Sequence, residues 1–329
     1  MKNKKIAIVG GGISGLIVAN ELQKLNDVTI FEKARGVGGR MATRRHETFS
    51  FDHGTQYFTA KTPEFQNFCH QMQNEGIIDL WNCKFASISC TKIERISNFN
   101  EDIKHFVATP QMNSLCKHLS KGLNVIMEAK IEKISFTNNQ WQIIDSNANQ
   151  YQNFDILILA IPSHQAVELL PHNFKYYNEI AKIKMQGCFT LMLGFKEKIA
   201  LEFDTAIVKD SILSWVSVNN SKPQRNESFA LTVHSSNEWA EQNMEINQEI
   251  IKNQMLDEAK KIIHFEESQL ECCVLHRWRF ANAPKYNGEK SYFDTNLNIG
   301  ICGDYLISGR IESAFLSGKS LLDKIISTN

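Results

Sequence analysis

The chain has 329 residues, 43% of them hydrophobic, which is enough for two domains with packed cores. Lysine plus arginine and aspartate plus glutamate both total 36, so the formal net charge is zero and nothing electrostatic argues for nucleic acid or an anionic membrane as a partner. No apolar run reaches the length of a membrane span, and the C-terminal helical stretch is interrupted by Arg310, Glu312, Lys319, Asp323 and Lys324, so a soluble protein is expected.

The first informative stretch is Lys5 to Glu32. Ile6-Ala7-Ile8-Val9 has the composition of a buried parallel strand. Gly10-x-Gly12-x-x-Gly15 follows, then the helical spacing Leu16, Val18, Ala19, Leu22, Leu25, then a second strand, Val28 to Phe31, ending on Glu32. Gly10 permits a tight turn, Gly12 leaves the backbone open to a pyrophosphate, and Gly15 lets helix and strand pack closely. An acid about twenty residues after the glycines is placed to accept the hydroxyls of an adenosine ribose. The combination predicts a dinucleotide-binding βαβ unit. A signal peptide is the competing reading of the basic start, but the run carries four glycines, lacks a convincing cleavage site and passes straight into the helix pattern.

Glu32 leads into Lys33, Arg35 and the glycines 36, 38 and 39, followed by Arg40. Backbone free of side chains beside a fixed guanidinium suits phosphate, so Lys33, Gly39 and Arg40 are candidates for a second wall of the same site. Ser50 to Ala60 (SFDHGTQYFTA) is dense in polar and aromatic groups and reads as part of a site. A helix is expected from Pro63 to Glu75, alternating strands from Leu80 to Ile96, a short strand at His105 to Val107, and a helix from Pro110 to Leu119. Val125 to Phe136, which contains the cofactor-binding candidate Ile131, and Gln140 to Asp145 read as strands joined by a turn at Asn138-Asn139. Phe154 to Ala160 is another buried-strand run.

From Gly187 the pattern changes to longer strands, Gly187–Phe195, Ile212–Val218, Phe229–His234 and Leu270–Phe280, around one amphipathic helix from about Asn247 to His264. This suits an antiparallel sheet covered by helix. Tyr292 to Asp304 returns to short buried strands, and Arg310 to Ile326 is the last helix. The expected division is a discontinuous nucleotide domain of residues 1–60, 101–165 and 295–329, with 61–100 and 166–294 forming a substrate domain. The eight cysteines show no metal-ligand or CxxC spacing, and adjacent Cys272-Cys273 read as buried thiols rather than a redox pair. A cytoplasmic location is expected.

The ending Ile301-Cys-Gly303-Asp304 to Ser308-Gly309-Arg310-Ile311-Glu312-Ser-Ala314 resembles the C-terminal flavin motif of the glutathione-reductase-like and amine-oxidase flavoproteins. That resemblance implies non-covalent FAD, with Gly303 and Asp304 near its ribityl or pyrophosphate part and the helix through Arg310, Ile311 and Glu312 aimed at the flavin pyrimidine edge, where it stabilises negative charge. It also implies the fold class: α/β, a Rossmann-like FAD-binding domain plus an α+β substrate domain with an antiparallel sheet. Within that family, Gly-x-Gly-Gly-Arg-Met (36–41), Asp52-x-Gly54-x-Gln56-Tyr57-Phe58-Thr59-Ala60, Leu213-Ser-Trp215, Asn220-Ser-Lys-Pro223, Val233-His234, Trp239 and His276-Arg277-Trp278 resemble the renalases and their bacterial relatives. His53 and Tyr305 depart from that pattern.

Renalase resemblance implies oxidation of the 2- and 6-dihydro isomers of NAD(P)H, with hydride passing to flavin N5 and oxygen reduced to hydrogen peroxide. Such a substrate needs no general base, and no Cys–His, Ser–His or paired-carboxylate constellation is evident. Gln56, Tyr57, His234 and Trp278 are the candidates for holding a flat ring in place, and Arg277, which alternation turns away from Trp278, is a secondary candidate for substrate phosphates. A flavin-dependent amine oxidase, with Tyr57 and Trp278 flanking an amine, and a non-catalytic FAD-binding redox protein are the alternatives.

Overall fold

The computed structural model describes residues 2–99 and 102–328. Contacts within the chain divide it into two compact units, Met1–Arg40 with Leu115–Met185 and Ala283–Asn329, and Met41–Ser114 with Gln186–Asn282. Relative to the expected division, residues 41–60 and 102–114 fall in the second unit, and residues 166–185 and 283–294 in the first. The boundary expected between 100 and 101 lies outside the described residues.

The first unit is built on a six-stranded sheet in the order Ser291–Asp294, Ile299–Cys302, Ile156–Leu159, Lys5–Val9, Asp27–Phe31, Asn124–Ile126. All neighbours are parallel except the first pair. The central strands are continuous apolar runs because helices cover both faces of such a sheet. Ile8, for example, is fully buried between Ile30 and Ile158. Helix Ile13–Leu22 leaves the first strand through the glycines, and helix Ile311–Thr328 packs against it. At that crossing a Cβ on Gly318 would come within 2.9 Å of the Ser14 carbonyl oxygen, so only glycine allows the approach. A three-stranded antiparallel sheet, Ile131–Thr137, Gln140–Asp145 and Gln150–Phe154, completes the unit. Asn138 and Asn139 turn its first hairpin with φ of 51° and 60°, the left-handed pair that Asn tolerates.

The second unit is built on a seven-stranded sheet in the order Leu270–Asn282, Gln186–Phe195, Ala230–Ser235, Leu213–Val218, Thr205–Lys209, Lys84–Ser89, Lys92–Asn98. It is not wholly antiparallel as expected: Thr205–Lys209 runs parallel to Lys84–Ser89. Strand alternation separates two faces. Phe189, Leu191, Leu193, Leu231, Val233, Val216 and Val218 form one core with Ile251, Met255, Ala259 and Ile262 of helix Gln248–Ile263. The other face carries Thr190, Thr232, His234, Trp215, Ser217, His276 and Trp278.

Two elements differ from expectation. The helix expected from Pro110 begins only at Ser114; ahead of it the Met112 N–H donates to Asp52 Oδ1 and the Gln111 N–H to Ser114 Oγ. The single strand expected over Val125–Phe136 is two strands in different sheets, broken at Glu128, whose φ is 55°. Helices Ser163–Leu169, Tyr177–Ala181 and Asn237–Asn243 were not foreseen; each is seven residues or fewer, too short for a clear apolar period.

Candidate cofactor and substrate sites

In the first unit the glycine turn has the shape the sequence predicts. Gly10 has φ +107°, and a Cβ on Gly15 would stand 2.2 Å from the Gly10 carbonyl oxygen, whereas one on Gly12 would meet nothing within 4 Å. Space beside Gly12 at a helix start is what a pyrophosphate needs. Glu32 is 6% exposed, and its two carboxylate oxygens accept from the Gly11 and Ala34 N–H groups, each at 2.8 Å. This fixes the carboxylate and leaves a lone pair on each oxygen for ribose hydroxyls.

Gly39, with φ +51°, closes on Gly12, its added Cβ lying 4.0 Å from the Gly12 Cα. Arg40 makes a two-nitrogen salt bridge to Asp304, one arm at 2.8 Å, so two candidates from opposite ends of the chain hold each other. Gly303 must be glycine because a Cβ would reach the Tyr305 ring at 2.4 Å, and its N–H donates to Ser317 Oγ. Arg310 is exposed ahead of the last helix, Ile311 half-buried at its first residue and Glu312 buried in its first turn. Lys33 is exposed with Nζ 3.3 Å from Gln165 Oε1. Ile131, 7% exposed, opens its strand two residues after Ala129, whose N–H donates to the Glu32 carbonyl.

The second unit gathers a polar cluster in the middle of its sheet. Asp52 is fully buried and accepts from Thr43 Oγ1 and the Met112 N–H on one oxygen, and from Arg225 Nε and a terminal Arg225 nitrogen on the other. Lys222 Nζ lies 3.5 Å from the same carboxylate and 5.3 Å from the Trp81 ring centre. Burial pushes Asp52 up, but Lys222, Arg225 and its hydrogen bonds outweigh it and hold the carboxyl below its ordinary range. Burial pushes Lys222 down to about 8 despite Asp52.

Gln56 sits above this pair. Its Oε1 accepts from Lys222 Nζ at 3.1 Å and Thr232 Oγ1 at 3.0 Å, while Nε2 faces the Asp52 and Gly54 carbonyls and lies 3.4 Å from His234 Nε2. Across the sheet His276, Thr190, His234 and Trp215 stand in one register row. Next to it His53 stacks on Trp278 with ring centres 5.0 Å apart, and His276 meets both rings edge-on. The His53 carbonyl accepts from Trp278 Nε1 and Thr190 Oγ1, which fixes the stacked pair to the sheet. Burial above all pushes His53 down to about 3 and His234 and His276 to about 4, so all three are neutral imidazoles at pH 7.

Tyr57 packs with Phe99, His105, Trp215 and Trp81 at ring-centre distances from 4.9 to 6.4 Å. Gln56, His234 and Trp278 are thus joined directly or through His53 and Thr190, and Tyr57 reaches the same row through Trp215. Arg277 is apart from them: its guanidinium donates to the Met244 carbonyl, on the face opposite Trp278. Of the Asp52–Lys222–Arg225 group, only Asp52 and Lys222 lie within the sequence landmarks, and Arg225 lies outside them. The partners in this group lie about 170 positions apart, and sequence spacing carries no sign of such pairing.

The comparisons with known proteins agree with this architecture. Residues 8–72 match the NAD(P)-binding Rossmann-like domain, and residues 76–321 match the flavin containing amine oxidoreductase family. The second match covers most of the chain, and the protein belongs to the flavin containing amine oxidoreductases. It is an FAD-dependent oxidoreductase, and the glycine turn, the fixed Glu32 carboxylate and the Gly303–Asp304 corner fit that cofactor. A 4,4'-diapophytoene desaturase of Staphylococcus aureus (strain Newman) is 33% identical over 88 residues, 23% of this chain and 18% of the desaturase. The chain therefore spans under a fifth of that relative's length. Among solved structures, a protein from Exiguobacterium sp. 255-15 provisionally assigned as a protoporphyrinogen oxidase is similar at a TM-score of 0.77 and 13% identity, with both chains covered in full. A putrescine oxidase variant redesigned at its cofactor site is similar at 0.73 and 11%, also over both whole chains. At these identities the likeness is one of fold. Among the described residues no helix is long and apolar enough to cross a membrane.

Proposed function

We propose that the protein is a renalase-like oxidase, oxidising 2- and 6-dihydro isomers of NAD(P)H to NAD(P)+ while O2 and a proton become hydrogen peroxide. The observation that carries this reading is the stacked His53–Trp278 pair beside His276 and His234, a set of flat, uncharged rings. Such a face suits a dihydronicotinamide, which already donates hydride and gives up no proton beforehand. FAD, when bound, would supply the two-electron acceptor for this hydride and the route of its electrons to oxygen.

The chain's own residues have the work of orientation. In this reading Trp278 and His53 support the ring plane, Tyr57 adds a second aromatic wall, and Gln56 and His234 supply a fixed polar edge. The second reading, oxidation of an amine, is favoured by the family description and by the fold shared with putrescine oxidase. An ammonium ligand calls for a carboxylate to receive it, and the carboxylate of this cluster, Asp52, is already held by Arg225, Lys222, Thr43 and Met112. The test is anaerobic mixing of FAD-loaded protein with the dihydro isomers, with ordinary NADH and benzylamine as controls, following flavin bleaching. Bleaching by the isomers alone, with peroxide on return of air, is the expected result. Bleaching by the amine alone moves the protein to the second reading.

A further inference from the structure

We infer that Lys222 is a positioning residue: it holds the Gln56 amide in one orientation and thereby fixes His234 as the imidazole with its proton on Nδ1 and a lone pair on Nε2.

Two independent constraints orient Gln56. An ammonium only donates, so the Gln56 atom 3.1 Å from Lys222 Nζ must be oxygen. Carbonyl oxygens only accept, so the atom facing the Asp52 and Gly54 carbonyls must be nitrogen. A flipped amide would fail at both ends. The amide nitrogen then lies 3.4 Å from His234 Nε2. Amide nitrogen does not accept hydrogen bonds, so a proton on Nε2 would be driven against N–H groups, and the ring keeps its proton on Nδ1.

Lys222 is itself anchored. Its ammonium lies 3.5 Å from Asp52, which Arg225 grips with two nitrogens, and the Lys222 and Asp52 side chains are both sealed from solvent. Arg225, Asp52, Lys222, Gln56 and His234 therefore form one chain of contacts. Burial, and after it the Lys222 charge, keep His234 neutral at pH 7, so a defined tautomer exists to be fixed. The proposal deepens the dihydronicotinamide reading in its consequence alone: a neutral ring of fixed tautomer offers the substrate one hydrogen-bonding pattern and no exchangeable charge.

The tautomer is read without substrate, so failure of this proposal and failure of the substrate reading are distinguishable. FAD-loaded protein labelled with 15N-histidine is recorded in two-bond 1H–15N spectra at pH 7.5, with His234 assigned by its loss in His234→Gln. The expected pattern is the Nδ1–H tautomer; an Nε2–H pattern overturns the proposal. In Lys222→Met the Asp52 and Gly54 carbonyls still hold the amide nitrogen, so the Nδ1–H tautomer should remain the major form while the His234 pKa rises by about one unit, as expected for loss of a nearby positive charge. An unchanged His234 pKa in that variant overturns the role of Lys222. Should the variant not fold, the wild type decides: His234 signals should show a second step near pH 8 as Lys222 loses its proton. The groups around them titrate elsewhere, His53 at about 3, His276 at about 4, Asp52 below its ordinary range and Cys83 at about 12. Absence of a step near pH 8 overturns the link.

Discussion

Lys222 Nζ lies 3.5 Å from Asp52 Oδ2, and neither side chain has any exposure to solvent. Arg225 shares the same carboxylate, so one buried anion balances two cations. Removing the anion leaves both charges in a medium that solvates them poorly. Asp52→Asn keeps the volume and should destabilise the protein by about 3–5 kcal/mol in denaturant unfolding, the range for breaking a buried pair. Combining it with Lys222→Met should recover part of that loss, because one stranded charge is then gone. An Asp52→Asn protein within about 1 kcal/mol of wild type would mean that solvent or rearrangement relieves the charges.

The histidines set an acid limit. His53, His234 and His276 have folded pKa values near 3, 4 and 4 against an ordinary 6.5. Between those values and 6.5 the unfolded chain binds more protons than the folded one, so stability is lost as pH falls from 6.5 towards 4. Lys222, lowered to about 8, has the same sign at the other end: stability rises as pH climbs from 8 towards 10.5. The measurement is melting temperature from pH 7 to 4.5 for wild type and His276→Gln. The variant, having one fewer histidine to protonate, should show the shallower decline. Parallel declines would show that His276 takes up its proton while folded.

How far this could be read from the sequence depends on the range of the interaction. Gly10, Gly12, Gly15 and Glu32 lie within one βαβ unit whose geometry is local, and the Gly11 N–H bond to Glu32 ties the glycine turn to the acid. The long strands of the second unit were legible from alternation, and Trp278 and Arg277 do take opposite faces. The register row His276–Thr190–His234–Trp215 was not legible, because period-two patterning fixes a strand's faces and leaves its neighbours open. Nor was the Arg40–Asp304 pair, two residues each assigned to the cofactor for its own reasons and joined across 264 positions. The helix expected at Pro110 begins only at Ser114, and the Met112 N–H ahead of it is held by Asp52, far away in sequence.

The two glycines at the ends of the first turn separate cofactor binding from folding. A Cβ on Gly12 meets no atom within 4 Å, so Gly12→Ala should fold with an unchanged melting temperature in the deflavinated protein. Its methyl group occupies the space where a pyrophosphate approaches the backbone, so FAD should bind at least 10-fold more weakly, about 1.4 kcal/mol. Gly15→Ala drives a Cβ to 2.2 Å from the Gly10 carbonyl oxygen and should lower the melting temperature with or without flavin. Flavin-fluorescence quenching and thermal melts measure the two effects. Normal FAD affinity in Gly12→Ala would place the pyrophosphate elsewhere.

Trp278 and Arg277 are adjacent in one strand and face opposite ways, which makes them a matched test of the substrate face. Trp278 stacks on His53 and donates to its carbonyl, whereas Arg277 donates to the Met244 carbonyl on the helix-covered side. Trp278→Phe keeps a ring for stacking and loses the anchoring hydrogen bond, and Trp278→Leu loses both. With 2- or 6-dihydroNAD in anaerobic stopped flow, the dissociation constant should rise modestly in the first and about 5- to 10-fold in the second, the worth of an aromatic contact of about 1–1.4 kcal/mol. Arg277→Leu should leave it within about 2-fold, since the guanidinium is spent on the far face. Equal losses from Trp278→Leu and Arg277→Leu would point to sheet stability as their common cause, and the His53–Trp278 pair would lose its place in the reading.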